Sequence, residues 1–350
     1  MGLAHTLGEQ FAQRSSGRSE RAEYRSDDKT RLRTFVLLSG LFVATDGLFV
    51  VESRYGLLNI YMVFFGLLGQ WLWLVQERLR KHNQKVCRML AGISLGSAIA
   101  VKWNGLGFAL SLAVWELARC NRKKMLGAKA HFFSSVSSLA ALVWVFAIAS
   151  VTYFVVWLPH LWIAQENFST LHSSLFSFHQ RLSPAGHSAC SKWFTWPLLI
   201  KPIAYWYEER SGLAYTVSNL GNPLVWWLSS AATLLIAVDK LASALSRRNG
   251  DGNALTSFLL VSYLANWLPW IFVKRCTFIY LYMPAAIFSF MLLAWIASGW
   301  LHDRTSWVRL IGWAMLVLIM MGFAFWLPLS IGSPLSAEAL QLRWWLRSWI

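Results

Sequence analysis

Met89–Ala118 reads MLAGISLGSAIAVKWNGLGFALSLAVWELA. One cation, Lys102, stands near its centre in the string Val101-Lys102-Trp103-Asn104-Gly105. A lysine inside an apolar stretch costs about 2.5–3.5 kcal/mol on membrane insertion, so its presence marks a candidate functional site. Basic clusters flank the stretch: Arg78, Arg80, Lys81, Lys85 and Arg88 before it, and Arg119, Arg122, Lys123, Lys124 and Lys129 after it. Lys and Arg collect in cytoplasmic loops. With both clusters on that side, the chain must enter the bilayer and return. One helix of this length would reach about 45 Å, too long for an ordinary span. The pattern therefore predicts two short helices, each about 20 Å long, turning at Lys102-Trp103-Asn104-Gly105 near the outer headgroups. Backbone freed at such a turn must line protein or water.

The rest of the chain agrees with a membrane setting. It has 350 residues, is 56% hydrophobic and has a mean hydropathy of +0.44. Gly56–Gln76, Leu139–Leu158, Ala254–Val273, Cys276–Leu301 and Leu310–Leu329 contain no Asp, Glu, Lys or Arg. A bilayer span takes about 20 residues, and each of these runs is long enough. Phe35–Val51, with Asp46 inside it, and Asn222–Val238 are shorter candidates. The expected class is an all-α polytopic membrane protein of about nine spans. The net charge of +16 does not point to nucleic acid, because the basic residues sit at span ends rather than on one patch. None of Cys87, Cys120, Cys190 and Cys276 forms a C-x-x-C pair, so no zinc or redox motif is present. Cys190 and Cys276 share the outer side and could pair.

Four regions follow. Residues 1–33 are polar and Arg-rich, with no apolar run of signal-peptide type, and are expected to be a disordered cytoplasmic tail. Residues 34–158 form a transmembrane half that contains the Lys102 hairpin. Residues 159–221 form an external loop rich in Trp, Tyr and His, and residues 222–350 a C-terminal four-span region.

Unusual polar residues gather at the outer turns: Glu52 and Arg54 on the first, Lys102, Trp103 and Asn104 on the second, Lys274 and Arg275 on another beside Tyr280 and Tyr282. Cations at this depth suit an anion whose tail lies in the bilayer, such as a lipid phosphate. Trp103, Trp193 and Trp196 offer faces for a sugar ring or belong to the interfacial belt. Arg54 and Arg275 also read as snorkelling anchors, and Lys102 as a partner of Asp46 or Glu52. His160, His172, His179 and His187 are spaced 12, 7 and 8 residues apart, which matches no zinc-ligand pattern. No metal site is expected.

Several ordered strings carry a family resemblance: Asp46-Gly47-Leu48-Phe49-Val50-Val51-Glu52-Ser53-Arg54-Tyr55-Gly56-Leu57-Leu58-Asn59, Val101–Leu106, Trp196-Pro197-Leu198, Lys201–Tyr207, Gly221-Asn222-Pro223-Leu224, Asn266–Trp270 and Arg275–Tyr280. From residue 34 to the C-terminus the chain resembles the protein O-mannosyltransferases of glycosyltransferase family 39, in particular their bacterial, cyanobacterial-type branch. The resemblance implies a GT-C-type transmembrane core in a bacterial plasma membrane, with its active site facing the periplasm. It implies transfer of mannose from polyprenyl-phosphate mannose to Ser or Thr hydroxyls of exported proteins, with inversion and no cofactor. A carboxylate would act as base. Lys102, Arg275 and Arg54 would bind the donor phosphate, and Trp103, Asn104, Tyr280 and Trp196 would line the donor and acceptor pocket. Membrane lipid is an expected partner and nucleic acid is not.

The chain also departs from the family pattern. The expected first external loop, with its Asp-Glu pair, has no counterpart, which implies an N-terminally truncated product, inactive unless another acid substitutes. Asn59 stands where many members have Asp, and Leu281 where related sequences often have His. Glu52 and Asp46 are the nearest substitute acids. The alternatives are another lipid-phosphate-sugar transferase of the same architecture, such as the lipid A aminoarabinose type, or a transporter or flippase. Internal repeats, the usual mark of transporters, are not seen.

Overall fold

The structure, a computed structural model, describes residues 1–6, 23–125, 129–181, 187–246 and 254–350. Thirteen helices are described: α1 (residues 2–6), α2 (Glu23–Ala44), α3 (Gly47–Arg54), α4 (Leu58–Val75), α5 (Lys81–Val101), α6 (Leu106–Met125), α7 (Lys129–Ala164), α8 (Phe168–Arg181), α9 (Pro223–Leu245), α10 (Ala254–Trp267), α11 (Met283–Leu301), α12 (Ser306–Ile331) and α13 (Ala337–Gln341). Strands β1 (Ala204–Arg210) and β2 (Leu213–Ser218) precede α9. Among the described residues, six helices are long and apolar enough to cross a membrane, and a seventh span arises if the bent pair α2 and α3 is one crossing. Helices α5 and α6 are of spanning length but carry charge at one end. Counting both gives nine. The chain divides into two compact units.

The first unit comprises Met1–Leu57, Ala189–Tyr263 and Thr277–Ile350. Its centre is α11, apolar all round, with Phe288, Phe290 and Leu292 wholly enclosed. Helix α2 lies against it through Phe35 and Trp295, whose rings meet edge to face at 5.7 Å. The Arg31 guanidinium sits 4.3 Å from the Trp295 ring, a cation–π contact that ties the polar end of α2 to α11. The expected boundary of the disordered tail at residue 33 therefore falls inside a helix that starts at Glu23. Residues 2–6 of that predicted tail form α1, with Leu3 and Ala4 buried, and residues 7–22 lie outside the described residues. Helix α9 packs on α11 through Trp226 and Phe290 and through a hydrogen bond between the Ser289 and Ser229 hydroxyls.

The expected first span, Phe35–Val51, is not one straight helix. It bends by 68° between α2 and α3. Asp46 is the reason. Its backbone is extended, and its side chain accepts the Phe49 N–H at 3.2 Å, starting a new helix. The predicted aromatic loop of residues 159–221 is also built differently: it contains α8, a 3-10 segment at Trp193–Leu198 and the β-hairpin. Ser211 and Gly212 both have positive φ (52° and 74°), as the two-residue turn of a hairpin requires.

The second unit comprises Leu58–Ser188 and Leu264–Cys276. The helices turn at a 3-10 segment, Trp103–Gly105, as the flanking charges predict. At one end, Lys102 reaches the start of α4 through Asn59. At the other, Arg119 of α6 bonds Glu77 just after α4, and Arg88 of α5 bonds Gln76. Helices α5 and α6 are thus antiparallel. They are longer than expected, about 30 Å each at 1.5 Å per residue. Neither Lys81–Arg88 nor Arg119–Met125 contains a Pro or Gly to stop the helix. Tight packing is provided by Gly92 and Gly96 of α5. A Cβ on Gly92 would come within 2.7 Å of the Val145 carbonyl oxygen of α7, and one on Gly96 would strike Ala149. This is the small-xxx-small contact of membrane helix pairs.

Candidate active site

In the second unit, Lys102 follows the last turn of α5 in extended conformation (φ −163°, ψ 135°). Its Nζ donates to Asn59 Oδ1 at 2.8 Å. An amide oxygen accepts this bond without cancelling the ammonium charge. The next residue, Trp103, is fixed by a directional chain. The Phe168 carbonyl can only accept, so the His172 Nδ1 at 2.9 Å carries the proton. His172 Nε2 then accepts from the Tyr153 hydroxyl at 2.7 Å, and the Tyr153 oxygen accepts the Trp103 indole N–H at 2.8 Å. His179, two helical turns after His172, lies 5.5 Å from the Trp103 ring. Its imidazole is held below its ordinary pKa, first by burial and then by the charges of Arg275 and Lys102. Two cations therefore converge on one neutral ring. Beside them, both amide atoms of Asn104 and Nδ1 of His179 are buried without a hydrogen-bond partner. The result is a positive, aromatic-walled corner with unpartnered buried polar atoms.

In the first unit, Glu52 is wholly buried. The Tyr205 hydroxyl, from strand β1, donates to Glu52 Oε1 at 2.9 Å and accepts from Asn219 Nδ2 at 3.3 Å. Asn219 is itself fixed by accepting the Ile203 N–H at 2.6 Å. Burial and then the adjacent carboxylate push the Tyr205 pKa well up, so it remains a donor. Tyr280 is near enough to add to that shift, and its ring stacks on Phe278 at 5.5 Å.

The other expected site residues of this unit have structural tasks. Asp46 Oδ2 accepts the Asn222 N–H at 2.8 Å and the Trp226 indole N–H at 2.7 Å, while Oδ1 caps α3. A Cβ on Gly221 would overlap the Trp226 indole and come within 2.8 Å of Asp46, which explains the glycine. Asp46 is thus a buried knot rather than a base facing substrate. Trp196 is fully enclosed, its indole N–H on Ser191 Oγ at 2.8 Å, and has no face left for a sugar. Arg54 donates to the Ile331 carbonyl at 3.1 Å and lies 5.8 Å from the Tyr55 ring, the posture of a helix-end anchor.

Lys102, Trp103, Asn104 and Arg275 thus share one unit, and Glu52, Asp46, Arg54, Tyr280 and Trp196 the other. Sequence reasoning missed Asn59, Tyr153 and Asn219 as partners, and the part played by Tyr205, His172 and His179. A helical signal for the histidines was present: seven residues apart, they share one face.

Bent and broken apolar helices around polar turns define a polytopic membrane protein. The fold agrees with one chain of the Saccharomyces cerevisiae protein O-mannosyltransferase Pmt1–Pmt2 complex bound to the sugar donor. The TM-score is 0.74 at 13% identity, over 93% of this chain and 79% of that one. Two family models match in succession, "dolichyl-phosphate-mannose-protein mannosyltransferase" over residues 27–164 and "C-terminal four TMM region of protein-O-mannosyltransferase" over residues 164–349. The polyprenol-phosphate-mannose–protein mannosyltransferase of Mycolicibacterium smegmatis is 24% identical over 89% of this chain and 71% of its own length. That of Corynebacterium glutamicum gives the same figures, and protein O-mannosyltransferase 1 of Drosophila pseudoobscura pseudoobscura is 32% identical over 43% of this chain and 19% of its own. The chain belongs to the protein O-mannosyltransferase family and is a glycosyltransferase of the mannosyltransferase class.

Proposed function

We propose that this protein transfers mannose from a polyprenyl-phosphate donor to Ser or Thr hydroxyls of exported proteins, at the periplasmic face of a bacterial plasma membrane. The observation that carries the reading is the succession of the two family models over residues 27–349. In the reaction the acceptor oxygen attacks the anomeric carbon from the face opposite the phosphate. The bond from that carbon to the phosphate oxygen breaks, the glycosidic bond forms with inversion, and polyprenyl phosphate leaves with the electron pair. The acceptor proton must go to a base. No resident metal or cofactor has a part in this chemistry.

Lys102 and Arg275, the two cations that act on His179, are assigned to the phosphate, whose negative charge grows as the bond breaks. Trp103 and Asn104 are assigned to the sugar. Glu52 is assigned as the base, acting through Tyr205. A hydroxyl that already donates to the carboxylate can take a proton and pass one on, whereas the backbone amide and indole donors on Asp46 cannot. The test uses membranes holding the full chain, polyprenyl-phosphate mannose and a threonine peptide. Glu52→Gln is expected to abolish transfer with the protein still folded, and Tyr205→Phe to slow it by about tenfold or more. Transfer at the original rate by Glu52→Gln removes Glu52 from the mechanism. Absence of transfer by the unaltered chain, with that donor and any peptide, overturns the proposed function.

A further inference from the structure

Among the described residues, strand β1 pairs with β2 on one side only. The two-residue turn makes Arg210 and Leu213 the closing pair, and in such hairpins the closing pair is hydrogen-bonded. Alternation then directs the main chains of Glu208 and Trp206 toward β2, and those of Tyr207 and Glu209 away from it. The structure provides an independent check. Ala214 stands opposite Glu209, so its N–H and C=O should also face outward. They do, pairing with Leu335 at 2.8 and 2.9 Å. Among the described residues, the sheet is therefore closed by Leu335 along β2 and open along β1. Tyr207 is 54% exposed and Trp206 43%.

Open edges are normally covered or blunted, because unpaired main-chain groups recruit another strand. Here the edge also leads to the Glu52 carboxylate. The pairing register slips between Ala204 and Trp206, leaving Tyr205 as the extra residue of a bulge. Bulges end a ladder and re-aim a side chain, and the Tyr205 hydroxyl is aimed at Glu52. We propose that the open edge of β1 docks the acceptor, an extended polypeptide segment that adds as a further strand and so carries its Ser or Thr past Tyr205. This rests on the protein-acceptor reading above.

Charge sharpens the choice of segment. Glu208 is bonded to Arg210 in a two-point pair, whereas Glu209 is exposed and has no ion pair among the described residues. Glu209 lies four residues from Tyr205, about 13 Å at the rise of a strand. A Lys or Arg four positions from the reactive hydroxyl meets Glu209. Two outward-facing residues offer at most four main-chain bonds, a short, releasable strand addition suited to turnover.

The test uses the full chain in detergent–lipid micelles and a short alanine-rich peptide with one Thr and one Lys four residues from it. Methylating the peptide nitrogens one at a time is expected to raise KM about tenfold at alternate positions only. Glu209→Lys is expected to raise KM for this peptide and lower it for one with Glu in place of Lys, with kcat unchanged. A photoreactive p-benzoylphenylalanine in place of Tyr207 is expected to crosslink the peptide, and unlabelled peptide to compete, whether or not mannose is transferred. If transfer proceeds but methylation has no alternating effect and no crosslink forms, the edge proposal falls while the proposed function stands. In that event, loss of lipid association in Trp206→Ser and Tyr207→Ser would identify the edge as a seat in the membrane interface. If no mannose moves, the proposed function fails and the crosslink alone decides the edge.

Discussion

Removal of the Asp46 side chain separates structure from chemistry in the first unit. Asp46→Ala deletes the cap of α3 and leaves three donors without their acceptor: the N–H groups of Phe49 and Asn222 and the indole of Trp226. All three residues are buried. Loss of an N-cap costs about 1 kcal/mol, and each orphaned buried donor about 1–3 kcal/mol. The effects overlap, because one rearrangement can satisfy two donors, so the expected total is roughly 3–6 kcal/mol. At about 2 °C per kcal/mol for a chain of this size, that is a fall of roughly 6–12 °C in the unfolding midpoint. The measurement is the loss of monodisperse protein on heating in detergent, followed by chromatography. Residual transfer below the new midpoint should remain within a few-fold of the original rate. The refuting result is an Asp46→Ala protein with an unchanged midpoint and no transfer. That outcome would mean the carboxylate serves the reaction and not the bend.

Three further outcomes follow from the second unit. Lys102→Met should lower kcat/KM for the donor by about 10–100-fold, the worth of one charge-assisted bond to phosphate, and an equal rate in the variant would remove Lys102 from the phosphate site. Glu116→Ala should destabilise by about 3–5 kcal/mol, since this buried carboxylate accepts from Trp73 Nε1 at 3.1 Å, Arg119 Nη1 at 2.8 Å and Ser138 Oγ at 2.9 Å; a thermal midpoint within 1–2 °C of the original would refute it. His179, whose pKa in the fold is below its ordinary value, binds fewer protons folded than unfolded as the pH falls through the imidazole range. Stability is then retained above the unfolded pKa of about 6.5 and lost on acidification, so His179→Gln should flatten the fall in midpoint between pH 7 and 5, and an unaltered slope would contradict the burial argument.

What could be read from the sequence was set by whether the signal was local. The helical hairpin around Lys102 was legible because basic clusters on both flanks force an even number of crossings. Its length was not, because hydropathy marks where a helix is buried and not where it ends. Helices α5 and α6 run on through Lys81–Arg88 and Arg119–Met125, where nothing breaks them. The bend at Asp46 carried a local signal that was read as chemistry. An Asp three residues before the amide it caps is a helix start before it is a base. Ser211-Gly212 between aromatic alternations is likewise a hairpin signal, inside what reads as an external aromatic loop.

The pairings that make the candidate site belong to another kind of information. Lys102 and Asn59 are 43 residues apart, and Tyr205 and Glu52 are 153 apart. No spacing rule reaches that far, because such pairs are fixed by how helices stack and where a bulge falls, and both depend on contacts such as Gly92 and Gly96 on α7. This is why residue type misled most at the two positions that looked richest in chemistry, Asp46 and Trp196. Both are polar or aromatic groups whose hydrogen bonds are spent on the scaffold. A buried polar group is nearly always partnered, so a conspicuous residue becomes a candidate for chemistry when its partner can exchange a proton or its polar atoms stay open. Tyr205 beside Glu52 meets the first condition and Asn104 the second, and these are the positions where substitution should change rate before it changes stability.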